Sequence, residues 1–140
     1  MNEHIASFRS FVWSYDACCL ELVGEFAGTV VSIGEACFRQ CSSLKSVILP
    51  DGLETLSRVA FYSCTALEEV DLGETVTVLG DKAFNGCGQV TKLTIPATLT
   101  TLAAENNGTK TDAFVGISIT EVSVTYGGTV EQWKALLETY

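Results

Sequence analysis

Histidine is all but missing from this chain of 140 residues, where His4 is the only one. A Ser/His or Cys/His pair therefore has no base away from the first few residues. A zinc site would want paired cysteines with histidine or further cysteines nearby, and Cys37 and Cys41 alone have usable spacing. Basic side chains are scarce too, 8 against 17 acidic ones, for a net charge of −9. Nucleic acid is held by clustered Lys and Arg that release its counterions, and no such cluster is visible. No apolar run approaches the ~18–20 residues of a membrane span. The opening "MNEHIASFRSFVW" has no basic segment leading into an uninterrupted apolar stretch, so no secretory signal is read there. Nucleophile-elbow, zincin, P-loop and dinucleotide-binding patterns are missing as well. The adjacent carboxylates Glu68 and Glu69 would point to opposite faces of a strand. Catalysis is not expected, nor is any cofactor, metal or small-molecule substrate.

Hydrophobic residues make up 47% of the chain and charged ones 18%, so it should fold around a core. The six cysteines are informative through their spacing. Cys41, Cys64 and Cys87 recur every 23 residues, as do Phe38, Phe61 and Phe84. Rows of 23 bring further columns into line: Ile33, Leu56, Leu79 and Leu102; Val30, Leu53, Val76 and Leu99; Leu44, Leu67 and Val90. Val47, Val70 and Leu93 form another, followed by Leu49, Leu72 and Ile95, and then by Pro50, Gly73 and Pro96. Periodicity of this length means a solenoid, in which each coil buries its apolar stripe against its neighbours.

Within a row, "LKSVIL", "LEEVDL" and "VTKLTI" end in the alternation of a strand with one buried face. Proline or glycine then stops the strand. A second extended pair follows, as in "LETL", and "AFYSC" supplies a tight turn or short helix whose phenylalanine fills the space between layers. Stacked copies have parallel side-chain directions, whereas a disulfide needs converging Cβ atoms. The column Cys41, Cys64 and Cys87 therefore reads as a reduced structural ladder of small buried hydrophobes. The vicinal pair Cys18 and Cys19 leaves thiol chemistry open.

A solenoid needs caps at both ends. At the N-terminus "SFVWSYD" and "LELVGEF" alternate and suggest a hairpin; an amphipathic helix through Ile5, Phe8, Val12, Tyr15 and Cys19 is the alternative. At the C-terminus the fourth row, "DAFVGISITEVSV", reads as one residue short and lacks the cysteine, with Ile119, Val122 and Val124 in the strand columns. In "YGGTVEQWKALLETY" Thr129 and Gln132 make a capping box. Val130, Trp133, Leu136 and Leu137 share one helical face. The step from Phe84 to Phe114 is 30 rather than 23, which places an insertion within Ala103 to Asp112. This polar stretch carries Glu105, Asn106, Asn107 and Lys110 and is a candidate binding loop. Asn107 also opens an N-glycosylation acceptor pattern, "NGT".

The row "LKSVILPDGLETLSRVAFYSC" and its neighbours, Val30 to Val124, resemble the leucine-rich repeats of the BspA-like (Treponema-type) class. "VWSYDACCLELVGEF" resembles the hairpin that often precedes such arrays, and "YGGTVEQWKALLE" the tail that follows them. Departures are "ACFRQC" in the first row, the insertion and the missing fourth cysteine. The implied fold is an α/β leucine-rich-repeat solenoid of about four 23-residue coils, with parallel strands on the concave face and short helices or turns elsewhere. One domain over 1–140 is expected: a cap over 1–28, repeats over 29–125 with the insertion near 103–112, and a cap helix over 126–140. The resemblance further implies a non-catalytic protein-interaction module of cell-surface or secreted proteins, linked to adhesion and host contact. Its expected partner is a host or surface protein. A structural spacer or display scaffold within a larger surface protein is the alternative. Side chains flanking the buried strand positions point outward: Ser46 and Ile48, Glu69 and Asp71, Lys92 and Thr94, Glu121 and Ser123. Stacked about 4.8 Å apart, they would form a four-row binding platform with an acidic centre.

Overall fold

In the computed structural model, residues 31–102, 113–117 and 123–138 are described. The expected N-terminal hairpin, with Cys18 and Cys19, lies outside them. The strands are β1 (Ser32–Ile33), β2 (Ser46–Ile48), β3 (Thr55–Leu56), β4 (Glu69–Asp71), β5 (Val78–Leu79), β6 (Lys92–Ile95), β7 (Thr101–Leu102) and β8 (Ser123–Tyr126). A single described helix, α1 (Val130–Glu138), follows. The strands form two parallel sheets of order β1-β3-β5-β7 and β2-β4-β6-β8. Each strand therefore pairs with the copy of itself one coil away. Val47 lies beside Val70 and Val70 beside Leu93, as the period of 23 requires.

The segments before Cys41, Cys64 and Cys87 are turns throughout, and hydrogen bonding explains why no short helix forms. Amides of alternate residues donate to the next coil: Ala36 to the Arg58 carbonyl, Phe38 to Ala60 and Gln40 to Tyr62. One coil on, Val59, Phe61 and Ser63 donate to Asp81, Ala83 and Asn85. The amides between them reach back three residues, as from Cys64 to Phe61. A helix this short would leave its first four amides without partners. The alternation depends on left-handed backbone at Ala36, Val59 and Lys82, and again at Gln40, Ser63 and Gly86. This makes a third hydrogen-bonded ladder along the stack, in which every amide from Ala36 to Cys41 and from Val59 to Cys64 has a partner, as buried backbone requires.

The sequence columns are the core. Ile33, Leu44, Leu53, Leu56, Phe61, Leu67, Val70, Leu72, Val76, Leu79 and Phe84 are all fully buried. The phenylalanine rings stack along the axis, Phe38 to Phe61 at 5.0 Å and Phe61 to Phe84 at 5.3 Å, inclined by only 12° and 3°. Burying each such ring contributes about 1.5–3 kcal/mol.

The last row departs from expectation. It keeps an offset of 30 through the turn, where the Phe84 amide donates to the Ala113 carbonyl and buried Ile117 takes the place of Cys87. At the strand, Leu93 pairs with Val124 and Ile95 with Tyr126, an offset of 31. The row is thus one residue longer than the coil pattern, not one shorter. Tyr126, not Val124, fills the last inward position, where its ring meets Trp133 of α1 at 5.1 Å. The Gly127 amide donates to the Ile95 carbonyl and ends the strand. Thr129 and Gln132 form the capping box: the Gln132 amide donates to Thr129 Oγ1 at 3.2 Å, and the Thr129 amide to Gln132 Oε1 at 2.8 Å. Leu136 is buried and Trp133 packs against the core. The expected apolar face is narrower than predicted, because Val130 and Leu137 are 63% and 47% exposed.

Candidate functional site

Alternation along β2, β4 and β6 buries Val47, Val70 and Leu93 and leaves their neighbours on the outer face. Two outward columns result. In the first, Ser46, Glu69, Lys92 and Ser123 stand side by side. In the second, Ile48, Asp71, Thr94 and Thr125 do so. Ser123 is therefore beside Lys92, not beside Thr94 where the sequence reading put it; Thr125 holds that place. Glu121, like the loop residues Glu105, Asn106, Asn107 and Lys110, lies outside the described residues. Thr125 was missed because the last row's register was misread. The cue was the pair Tyr126–Gly127, which ends its strand as Ile95–Pro96 does.

Charge is distributed unevenly over this face. Lys92 Nζ donates to Glu69 Oε1 across the β4–β6 pair. That hydrogen bond, and then the carboxylate's charge, raises the Lys92 pKa above its ordinary value. Asp71 is held differently: its Oδ1 accepts the Gly73 amide at 2.9 Å. Ile48, the partner of Asp71 in register, is 54% exposed.

The cysteine column presents no such accessible chemistry. Cys37, Cys41, Cys64 and Cys87 are buried thiols outside any disulfide. Cys64 Sγ donates to the Phe38 carbonyl at 3.1 Å, and Cys87 Sγ to the Phe61 carbonyl at 3.2 Å. Each thiol thus ties its coil to the one before, a role that volume alone did not reveal. Contacts with the thiols of Cys41 and Cys87, followed by burial, push the Cys64 pKa up. Burial, followed by the proximity of Cys41, pushes Cys37 up to about 11. Cys37 and Cys64 are therefore poor nucleophiles, since the thiolate is the reactive form. The hydrogen bond from the Cys64 thiol instead lowers the Cys87 pKa, and burial alone keeps that sulfur from reagents. Among the described residues no group of three or more His, Cys, Asp or Glu is placed to hold a metal ion. Nor is any described helix long and apolar enough to cross a membrane.

The sequence pattern of the BspA type leucine rich repeat region, in six copies, matches residues 14–132. The chain belongs to this family. Among solved structures, a leucine rich cell surface protein from Faecalibacterium prausnitzii A2-165 superimposes with a TM-score of 0.60 at 22% identity. The match covers 85% of this chain but 34% of that one, so this chain spans about a third of its length. A leucine rich repeat protein of T. pallidum matches at a TM-score of 0.44 and 18% identity, over 75% of this chain and 66% of that one. No curated protein matches. At 22% identity the likeness to the Faecalibacterium structure shows the leucine-rich-repeat fold alone.

Proposed function

We propose that this BspA-type chain is a non-catalytic protein-interaction module of cell-surface or secreted type, engaging a host or surface protein through the outer face of β2-β4-β6-β8. The observation that carries this reading is the contrast between the two sides of one sheet. The inward columns are apolar, aliphatic until Tyr126 closes the last, whereas the outward ones vary along the stack: serine, acid, base, serine; then isoleucine, acid, and threonine twice. Packing demands sameness, and recognition thrives on difference. Leucine-rich-repeat families are typically interaction modules, and the Faecalibacterium relative is described as a cell surface protein.

One observation favours a spacer or display role instead. Among the described residues the platform offers eight outward side chains in its two columns, fewer than the ~20–30 residues a side of a standard interface. Replacing Glu69 and Asp71 together by lysine separates the readings. Adhesion to host protein or cells should fall sharply if the platform binds, and stay unchanged if the chain only spaces or displays.

A further inference from the structure

We infer that the platform recognises a lysine or arginine side chain of its partner, with Asp71 meeting the charged head and Ile48 carrying the aliphatic stem. The inference rests on the interaction reading above.

The two acidic residues of the platform are not equivalent. Glu69 is engaged by Lys92 within the sheet. Asp71 is instead oriented by a backbone donor, the Gly73 amide. Two residues beyond Ile48, Asp71 and Thr94 stand Pro50, Gly73 and Pro96, and proline has no N–H to give. Of the coils that carry β2, β4 and β6, the middle one alone can hold a carboxylate in this way, and it alone has one at that outward position; its neighbours carry Ile48 and Thr94. Gly73 is fitted to the task by its φ of +67°, and a Cβ there would lie 2.7 Å from the Leu49 carbonyl oxygen. Carboxylate and anchoring glycine thus occur together in one coil.

The surroundings select the ligand. Ile48 stands one strand away from Asp71, about 4.8 Å, and exposes more than half of its surface. Thr94 flanks Asp71 on the other side. An oriented carboxylate beside an exposed aliphatic shelf complements a side chain with a methylene stem and a cationic head. A purely apolar side chain would strip water from Asp71 without replacing it. An anionic one would be repelled by the carboxylate and by a chain carrying a net charge of −9.

The test is an amide-NMR titration of the full chain with short blocked peptides that differ at one central residue: lysine, norleucine (stem without charge) or diaminopropionic acid (charge on a short stem). The lysine peptide should move the amide signals of Ile48 and Asp71 and bind roughly fivefold or more tightly than either analogue. Asp71→Asn and Ile48→Thr should each weaken it by a similar factor. Glu131→Gln, an equal loss of charge on α1, should leave it unchanged. Equal weakening by Asp71→Asn and Glu131→Gln would reveal diffuse attraction and overturn the inference. Norleucine binding as well as lysine would overturn it too, while leaving the platform as an interaction surface. No shift at the platform with any peptide, together with unimpaired adhesion after charge reversal at Glu69 and Asp71, would remove both readings.

Discussion

The coils around Phe61 and Phe84 and the row that begins at Ala113 are built from related sequences under different constraints. A middle coil has a neighbour above and below, so each inward side chain meets its own kind and every alternate turn amide finds the same carbonyl one layer on. The last row has such a neighbour on one side only. There Ile117 replaces cysteine, the spacing lengthens to 31, Val124 is 38% exposed where Leu93 is buried, and an aromatic pair with α1 takes over the closing contact. Repetition is enforced where both faces are covered by like coils and relaxes where α1 takes the place of one.

The largest test of that contrast is the phenylalanine column. Phe61→Ala empties a fully buried site between two stacked rings and should cost about 3–5 kcal/mol in urea unfolding. Phe114→Ala, at a partly buried ring in the last row, should cost about 1–2 kcal/mol. Equal losses would break the distinction. A second test lies within the terminal helix. Leu136→Ala should destabilise by about 2–3 kcal/mol, whereas Leu137→Ala should stay within about 0.5 kcal/mol, because only Leu136 is buried.

Alkali should act on the coils through their thiols. In the folded chain Cys37 holds its proton up to about pH 11, against a reference value of 9.0. Its contribution is therefore complete below pH 9 and is lost as the pH rises through 11, by up to about 3 kcal/mol. Unfolding measured across that interval should show the loss, and Cys37→Ala should flatten the profile. The smallest effect concerns Val59, a β-branched residue at a φ of 50°. Val59→Asn should raise stability by about 0.5–1 kcal/mol, since asparagine tolerates the left-handed region better. A loss instead would mean that the side chain's packing outweighs its backbone strain.

These differences also mark how far the amino-acid sequence could be read. Columns such as Ile33–Leu56–Leu79–Leu102 announced the stack because burial tolerates little besides aliphatic residues. The outward columns of the middle coils followed from the same alternation. The last row's register did not, because strand alternation has a period of two and a slip of two residues keeps every side chain on its expected face. Ile119, Val122 and Val124 offered as good an apolar pattern as the pair Val124 and Tyr126 that the structure uses. The left-handed turn positions were equally silent, since alanine, valine and lysine at Ala36, Val59 and Lys82 carry no conformational signature. Nor does a cysteine advertise that its thiol will meet a carbonyl 26 residues earlier.

The thread of bonds through the turns has an evolutionary corollary. Because an interior layer offers the layer above what the layer below offers it, one more copy slipped between them meets surfaces it already fits. Tandem duplication in the gene can lengthen such a protein without inventing any architecture. The residues facing outward on each new copy are then at liberty to diverge.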